Sequence, residues 1–352
     1  MKVYVFPADN AGCGHYRLIW PADTLRKLGH DIVIMPPTKE TGFLIKVETD
    51  GDGNERMVDV QVPPGADVVV VQRASHRRQQ DLIRFLRAKG VAVVVDMDDD
   101  MSSIHPDNVA FNAYRHNNRT DYSWKWATES CKVATLVTTS TQALQKVYAA
   151  HGRGMVLDNY VPEVTLTYDK PETGCFGWAG TTMSHPNDLQ VTGDVVRRMT
   201  GEGHQFRVVG GPSKVRQNLR LTEDPVCTGV VGLENWIKTI GETVDVGMVP
   251  LAATNFNTSK SRLKGIECMA AGVPWVASPR SEYRRLHKES GCGFLADTPK
   301  QWYAYLTQLL RDDVLRKEQA EAGKAYMTSQ TYQAHAWRWL EAWTRALEIQ
   351  RA

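Results

Sequence analysis

From residue 257 to 278 the chain reads Asn-Thr-Ser-Lys-Ser-Arg-Leu-Lys-Gly-Ile-Glu-Cys-Met-Ala-Ala-Gly-Val-Pro-Trp-Val-Ala-Ser, a polar segment running into small and apolar residues. The pattern predicts that the polar segment meets the start of a helix, and a helix N-terminus favours a phosphate through its unpaired amides and the positive end of its dipole. Lys260, Arg262 and Lys264 add side-chain charge at that entry, beside Ser259 and Ser261. About two turns into that helix stands a lone carboxylate, Glu267, able to chelate the two hydroxyls of a ribose. Gly272-Val273-Pro274 then ends the helix and opens a short buried strand. Phosphate clamp and diol-binding carboxylate together suit a nucleotide sugar.

Other residues with chemical potential sit after predicted strands. Asp96-Met97-Asp98-Asp99-Asp100 closes an apolar run, where α/β folds put active-site groups. Four carboxylates so close cannot all stay ionised in a dry site without cations or strong donors. An Asp-x-Asp holding Mg²⁺ or Mn²⁺, as in GT-A glycosyltransferases, is one reading, and a haloacid-dehalogenase type of phosphatase is another. In a third the strand end faces an acceptor. At least two of the four are expected to cap a helix or pair with Arg115 or Arg119. The first strand is followed by Gly12 and Gly14, whose missing side chains let a ligand approach the backbone. Gly180 and Thr181 follow the first strand of the second half, with His185 and Asp188 just beyond, and Gly210 ends the next strand. Residues 111–119, with Trp124 and Trp126, interleave aromatics with basic and amide groups. That mixture suits an acceptor lid or loop packing better than specific DNA contact.

The segment 257–278 resembles the donor-binding signature of GT-B glycosyltransferases, in particular retaining family 4 and its bacteriophage-encoded relatives. Their pattern is Glu, seven residues, Glu, a small-residue helix and Gly-Val-Pro. Glu267 matches the second Glu, whereas Ser259 stands at the first. The resemblance implies a retaining enzyme using a UDP- or GDP-type sugar as substrate, with no cofactor and no metal. Lys260 and Lys264 would stabilise the leaving diphosphate, and Asp98 would orient the acceptor or sugar. Donor contacts would come from Gly12, Gly14, Gly180, Thr181, Gly210, Val231, Ser259, Ser261, Arg262, Leu263 and Glu267. Acceptor contacts would come from His15, Arg17, Asp99, Asp100 and Arg115. A hydroxymethylated DNA base or a virion protein is the expected acceptor. A non-catalytic nucleotide-sugar or DNA-binding module, and a metal-dependent phosphatase, are the rival classes.

These groups need a scaffold. Strands and helices alternate along all 352 residues, which argues α/β with parallel sheets. Predicted strands at 3–6, 31–35, 68–72, 91–97, 135–140 and 155–158 form a first series. A hairpin around Asp50-Gly51-Asp52-Gly53 is inserted in it. After a Pro-containing linker at 160–174, a second series runs through 175–179, 206–209, 226–231, 244–250, 275–277 and 294–296. The expected organisation is an acceptor-side Rossmann-like domain, 1–162, and a nucleotide-sugar domain, 163–331, facing a central cleft. A terminal helix, 332–352, would cross back to the first domain. The net charge of +2 gives no global case for nucleic acid or membrane. Six scattered cysteines without Cys-x-x-Cys spacing read as reduced thiols, and no apolar run approaches the ~20 residues of a membrane span, so a cytoplasmic protein is expected.

Overall fold

The computed structural model describes residues 1–37, 43–53, 55–114 and 123–352. In chain order the strands of the first half are β1 (Val3–Phe6), β2 (Ile32–Ile34), the hairpin β3 (Ile45–Thr49) and β4 (Glu55–Val60), β5 (Val68–Gln72), β6 (Ala92–Met97), β7 (Leu136–Thr139) and β8 (Gly154–Val156). The second half contributes β9 (Cys175–Ala179), β10 (Gln205–Val209), β11 (Val226–Cys227), β12 (Val246–Val249), β13 (Trp275–Ala277) and β14 (Phe294–Leu295). Two six-stranded sheets result, in the orders β2-β1-β5-β6-β7-β8 and β11-β10-β9-β12-β13-β14. Every pairing within them is parallel.

Composition explains the parallel sheets. β5 is Val-Val-Val-Val-Gln and β6 is Ala-Val-Val-Val-Asp-Met, and both are buried along their whole length. Strands covered by helices on both faces need unbroken apolar runs, and β-branched side chains pack well on the pleat. β3 and β4 instead pair antiparallel as a separate two-stranded sheet. Only Met57 and Val60 of that hairpin are buried, against the first half's outer core.

In each sheet the strand order reverses beside the first strand of the half, between β1 and β5 and between β9 and β12. Such switch points leave a crevice at the carboxyl ends of the strands. The two crevices face each other, and a cavity of about 470 Å³ lies between them.

The chain's last helix, Trp337–Arg351, follows the short turn Tyr332–His335 and packs on β5, β6 and β7 of the first half. Its apolar stripe buries Trp339, Ala342, Trp343 and Ala346. The expected crossing is thus observed, and it does more than fill a groove. After β1 the chain makes a π-helical turn, His15–Ile19. Widening a turn shifts backbone bonding by one residue and disturbs the partners of its carbonyls. Here the Tyr16 carbonyl accepts from the Tyr332 hydroxyl at 2.5 Å and the Arg17 carbonyl from Trp339 Nε1 at 2.8 Å. The C-terminal segment therefore holds the turn that aims Tyr16 into the cleft.

Tyr332→Phe removes one hydroxyl and leaves the buried Tyr16 carbonyl unpaired, which should cost about 1–3 kcal/mol of stability. Urea unfolding would measure it. A midpoint equal to wild type would show that the turn does not depend on this donor.

Candidate functional site

The cavity takes side chains from the carboxyl ends of both sheets. From the first half come Gly12, Cys13, Tyr16 and Arg17 after β1, Arg73 after β5, and Asp98 and Asp99 after β6. The second half supplies His185 after β9, Leu251 and Phe256 after β12, Trp236, and the segment Lys260, Ser261, Leu263, Lys264 and Glu267. Ten of the residues named in sequence therefore meet here: Gly12, Arg17, Asp98, Asp99, His185, Lys260, Ser261, Leu263, Lys264 and Glu267.

The expected helix starts at Leu263 and runs to Ala270, with Arg262 at the cap position and no side-chain cap, so that Glu267 stands about one turn in and not two. Its third amide, Gly265, donates to the Arg262 carbonyl at 3.0 Å, and the helix itself supplies no partner to the amides of Leu263 and Lys264. Lys264 Nζ donates to the Ala179 carbonyl at 2.6 Å and lies over the Trp178 ring. Burial lowers the Lys264 pKa; Glu267 opposes that shift and Lys260 adds to it. Glu267 accepts from the Tyr16 hydroxyl at 2.8 Å, and Trp236 also hydrogen-bonds it. Burial pushes the Glu267 carboxyl up, with Lys264, Tyr16 and Trp236 pulling the other way. Both groups are thus held in a dry place where a ligand charge or diol would be felt strongly.

The aspartates after β6 diverge. Asp96 is fully buried and forms a two-pronged ion pair with Arg17, at 3.1 and 2.8 Å, while Thr138 Oγ1 donates to it at 2.7 Å. Asp98 forms a second two-pronged pair with Arg73, at 2.6 and 2.8 Å. Asp99 binds Lys260 Nζ at 2.6 Å and Arg73 Nη2 at 3.2 Å. Asp100 caps the next turn by accepting from the Ser102 amide at 3.1 Å and from the hydroxyls of Ser102 and Ser103. Burial would raise the Asp98 carboxyl, but the Arg73 guanidinium and then Arg17 outweigh it and hold it below the usual range. Among the described residues no group of three His, Cys, Asp or Glu side chains is placed to share a metal ion.

Several expected contacts lie elsewhere. The Arg262 guanidinium is turned away from the cleft into an ion-pair group with Glu289 and Asp158. Arg17 lines the cleft floor but is 1% exposed, its donors spent on Asp96, the Leu157 carbonyl and Asn159. Asp100 is structural, for the reason just given. Gly14 sits beneath the Asp9 carbonyl, which a Cβ would meet at 1.8 Å, and its amide donates to Asp9 Oδ1 at 2.9 Å. The Ala11 amide takes the same oxygen, so a carboxylate of the chain already occupies part of this glycine loop. His15 bonds back to the Ala11 carbonyl and edges onto Trp20. Gly180 and Gly210 pack backbone against backbone, where a Cβ on Gly210 would meet the Gly180 carbonyl at 2.4 Å. Thr181, beyond β9, and Val231, beyond β11, stand outside the cavity lining, and β11 ends at Cys227, short of the expected 226–231. Ser259 is buried, and its carbonyl accepts from Thr141 Oγ1 of the first half at 3.0 Å. Arg115 lies outside the described residues.

Tyr16, Arg73, Trp236 and Asn159 were not anticipated. Arg73 could have been found as the first residue beyond β5, at the place where such sheets present site residues. It also has φ 53°, an uncommon conformation for a side chain other than glycine, held by its bonds to both aspartates. Asn159 accepts from Arg17 Nη1 at 2.8 Å and donates to Ser261 Oγ at 3.0 Å, which no local pattern announces.

Two Rossmann-like halves with facing crevices and a C-terminal helix returning to the first half define the GT-B fold. Residues 175–312 match the family described as Glycosyl transferases group 1. Many solved structures are similar to the chain, the following three among them. Anabaena HepE in complex with UDP and glucose superposes with a TM-score of 0.65 at 12% identity, over 97% of this chain and 99% of that one. Sucrose-phosphate synthase from Thermosynechococcus elongatus gives 0.64 at 12% identity, over 99% and 100%. A variant of Staphylococcus aureus TarM, in complex with fondaparinux, alpha-GlcNAc-glycerol and UDP, gives 0.56 at 13% identity over 78% of this chain, which spans only 55% of TarM. No curated protein sequence matches the chain.

Arg73→Met would strand Asp98 without its main counter-charge, and removing one partner of a buried pair costs about 3–5 kcal/mol. Without Arg73, burial raises the folded-state pKa of Asp98 above its unfolded value, so stability falls as pH rises between the two. The deficit against wild type should therefore be small near pH 4 and largest near pH 7. Denaturation at both values checks this, and equal deficits would assign the loss to packing.

Proposed function

We propose that this protein is a retaining glycosyltransferase that moves a sugar from a nucleoside-diphosphate sugar to an acceptor hydroxyl, without a catalytic metal. The observation that carries the reading is the convergence of Lys260, Lys264, the N-terminus of helix Leu263–Ala270 and Glu267 in one cleft between two parallel sheets. The group 1 match covers the part of the chain that holds these residues. HepE, with the same fold, was solved with UDP and glucose.

On this reading residues 163–331 bind the donor and residues 1–162, rejoined by 332–352, present the acceptor. The diphosphate lies against Lys260, Lys264 and the helix amides, and the ribose diol takes Glu267 in place of the Tyr16 hydroxyl. Lys260 exchanges Asp99 for phosphate, while Arg73 remains to balance Asp98 and Asp99. The bond between the anomeric carbon and the β-phosphate oxygen breaks, its electron pair leaving with the diphosphate. The acceptor oxygen bonds to the same face of that carbon, and its proton passes to the departing phosphate oxygen. Charge developing on the leaving group is stabilised by preorganised cations and amides. Asp98, fixed by Arg73, orients the acceptor or sugar. The acceptor we propose is macromolecular, a hydroxymethylated DNA base or a virion protein, met in the cytoplasm. Six unpaired cysteines support a reducing compartment.

Glu267→Gln should weaken UDP or GDP binding by about 1–3 kcal/mol, the scale of a lost charged hydrogen bond. Calorimetry giving wild-type affinity would remove Glu267 from the site. Lys264→Ala should lower turnover of the nucleotide sugar more than it raises the Michaelis constant, because its charge counts most as the diphosphate leaves. Activity should persist in chelator. Complete loss in chelator, restored by Mg²⁺ or Mn²⁺, would refute metal-free transfer, and mass analysis of DNA and proteins from expressing cells tests the acceptor.

A further inference from the structure

The loop leaving β9 carries Ser184-His185-Pro186-Asn187-Asp188, and within it His185 faces the cavity. His185 Nδ1 lies 3.0 Å from Asp188 Oδ2. Asp188 is itself buried, and its other oxygen accepts from the Ala252 amide at 2.9 Å and from Asn257 Nδ2 at 2.6 Å. An ionised carboxylate can only accept, so the Nδ1 atom of His185 carries the proton and Nε2 presents a bare lone pair. No described residue hydrogen-bonds that Nε2. The loop is fastened on its other side as well: the Asn108 side chain donates to the Ser184 carbonyl at 3.0 Å and the Val109 amide to the Met183 carbonyl at 3.1 Å. The ring is thus fixed from two directions with one acceptor atom left over.

Three partners could use that atom. A proton to be abstracted is a poor match: burial pushes the imidazole down to about 4, the Asp188 hydrogen bond opposing and Lys264 and Lys260 reinforcing the shift. A base that weak at neutral pH is far from the value that favours general-base catalysis. A phosphate oxygen would meet lone pair with negative charge. A hydroxyl fits, because it donates to a neutral acceptor without either group changing its charge.

We infer that His185, oriented by Asp188, reads a hydroxyl of the transferred sugar, beside the diphosphate that Lys260 and Lys264 hold. It is a specificity-determining contact supplied by the donor-side half, and it rests on the glycosyltransferase reading above. Asp188 is a positioning residue that sets the tautomer of the ring.

Calorimetry of wild type, His185→Ala and Asp188→Asn with UDP, GDP, UDP-glucose, UDP-N-acetylglucosamine and GDP-mannose separates the possibilities. The nucleotide sugar that wild type prefers should bind His185→Ala about 3- to 10-fold more weakly, the range of one neutral hydrogen bond, while the matching nucleoside diphosphate binds both alike. Among analogues of that sugar lacking single hydroxyls, one should bind wild type and His185→Ala equally. Asp188→Asn, which presents an amide donor to Nδ1 and drives the proton to Nε2, should show the same selective loss. Equal weakening of diphosphate and nucleotide sugar in His185→Ala would overturn the inference in favour of a phosphate contact or a loop support. An unchanged nucleotide-sugar affinity would overturn it outright. Failure of wild type to bind any of the five would instead bring down the glycosyltransferase reading, and this inference with it.

Discussion

The buried pair of Arg17 and Asp96 is the constraint on which the cleft depends. Two charges without water are expensive, and their attraction compensates only when every remaining donor and acceptor is filled. Here they are: Arg17 also reaches the Leu157 carbonyl and Asn159, and Asp96 also accepts from Thr138. One guanidinium thus joins the turn after β1, the end of β6, β7 and the exit of β8. Asn159 passes the linkage to Ser261, just ahead of the helix Leu263–Ala270. The floor is thus one of the places where the two halves are joined.

Above the floor the charges form a near-balanced set. Arg73 serves Asp98 and Asp99, Lys260 serves Asp99, and Lys264 lies beside Glu267. Balance explains how so many ionised groups can share one cavity: each carboxylate has a cation or a donor assigned to it, and none is left to repel its neighbour. It also explains why the cleft is spanned by polar contacts. Lys260 to Asp99, Tyr16 to Glu267 and Thr141 to Ser259 each join one half to the other. On the proposed reading, the first two of these contacts are made by groups that a nucleotide sugar would engage, so donor binding and the relation of the halves are coupled.

The alternation of strands and helices, the two parallel series, the hairpin and a helix carrying Glu267 behind the polar segment were legible in the sequence. They depend on local propensity and apolar runs: Val68–Gln72, Cys175–Ala179 and Trp275–Ala277 begin and end where their residue types change. The grouping of Lys260, Lys264 and Glu267 was legible for the same reason, since one helix and its entry carry all three. Short strand ends were less so, as with β11, because a strand's last residues are fixed by pairing with a neighbour.

Only the tertiary structure decided which charges meet. Sequence placed Arg262 with the clamp, but Asp158 and Glu289 draw it to the opposite side. It offered Arg115 or Arg119, which lie outside the described residues, as partners for the aspartates; among the described residues Arg17 and Arg73 pair with them from 79 and 25 residues away along the chain. It gave no reason to place Tyr16 against Glu267, 251 residues distant. Propensity and periodicity act over a few residues, whereas an ion pair or a buried hydroxyl is assigned by whichever partner the folded chain brings within about 3 Å. The sequence by itself determined the architecture and the kind of chemistry its strand ends could hold; folding determined which of those groups face the cleft and which are spent in holding it together.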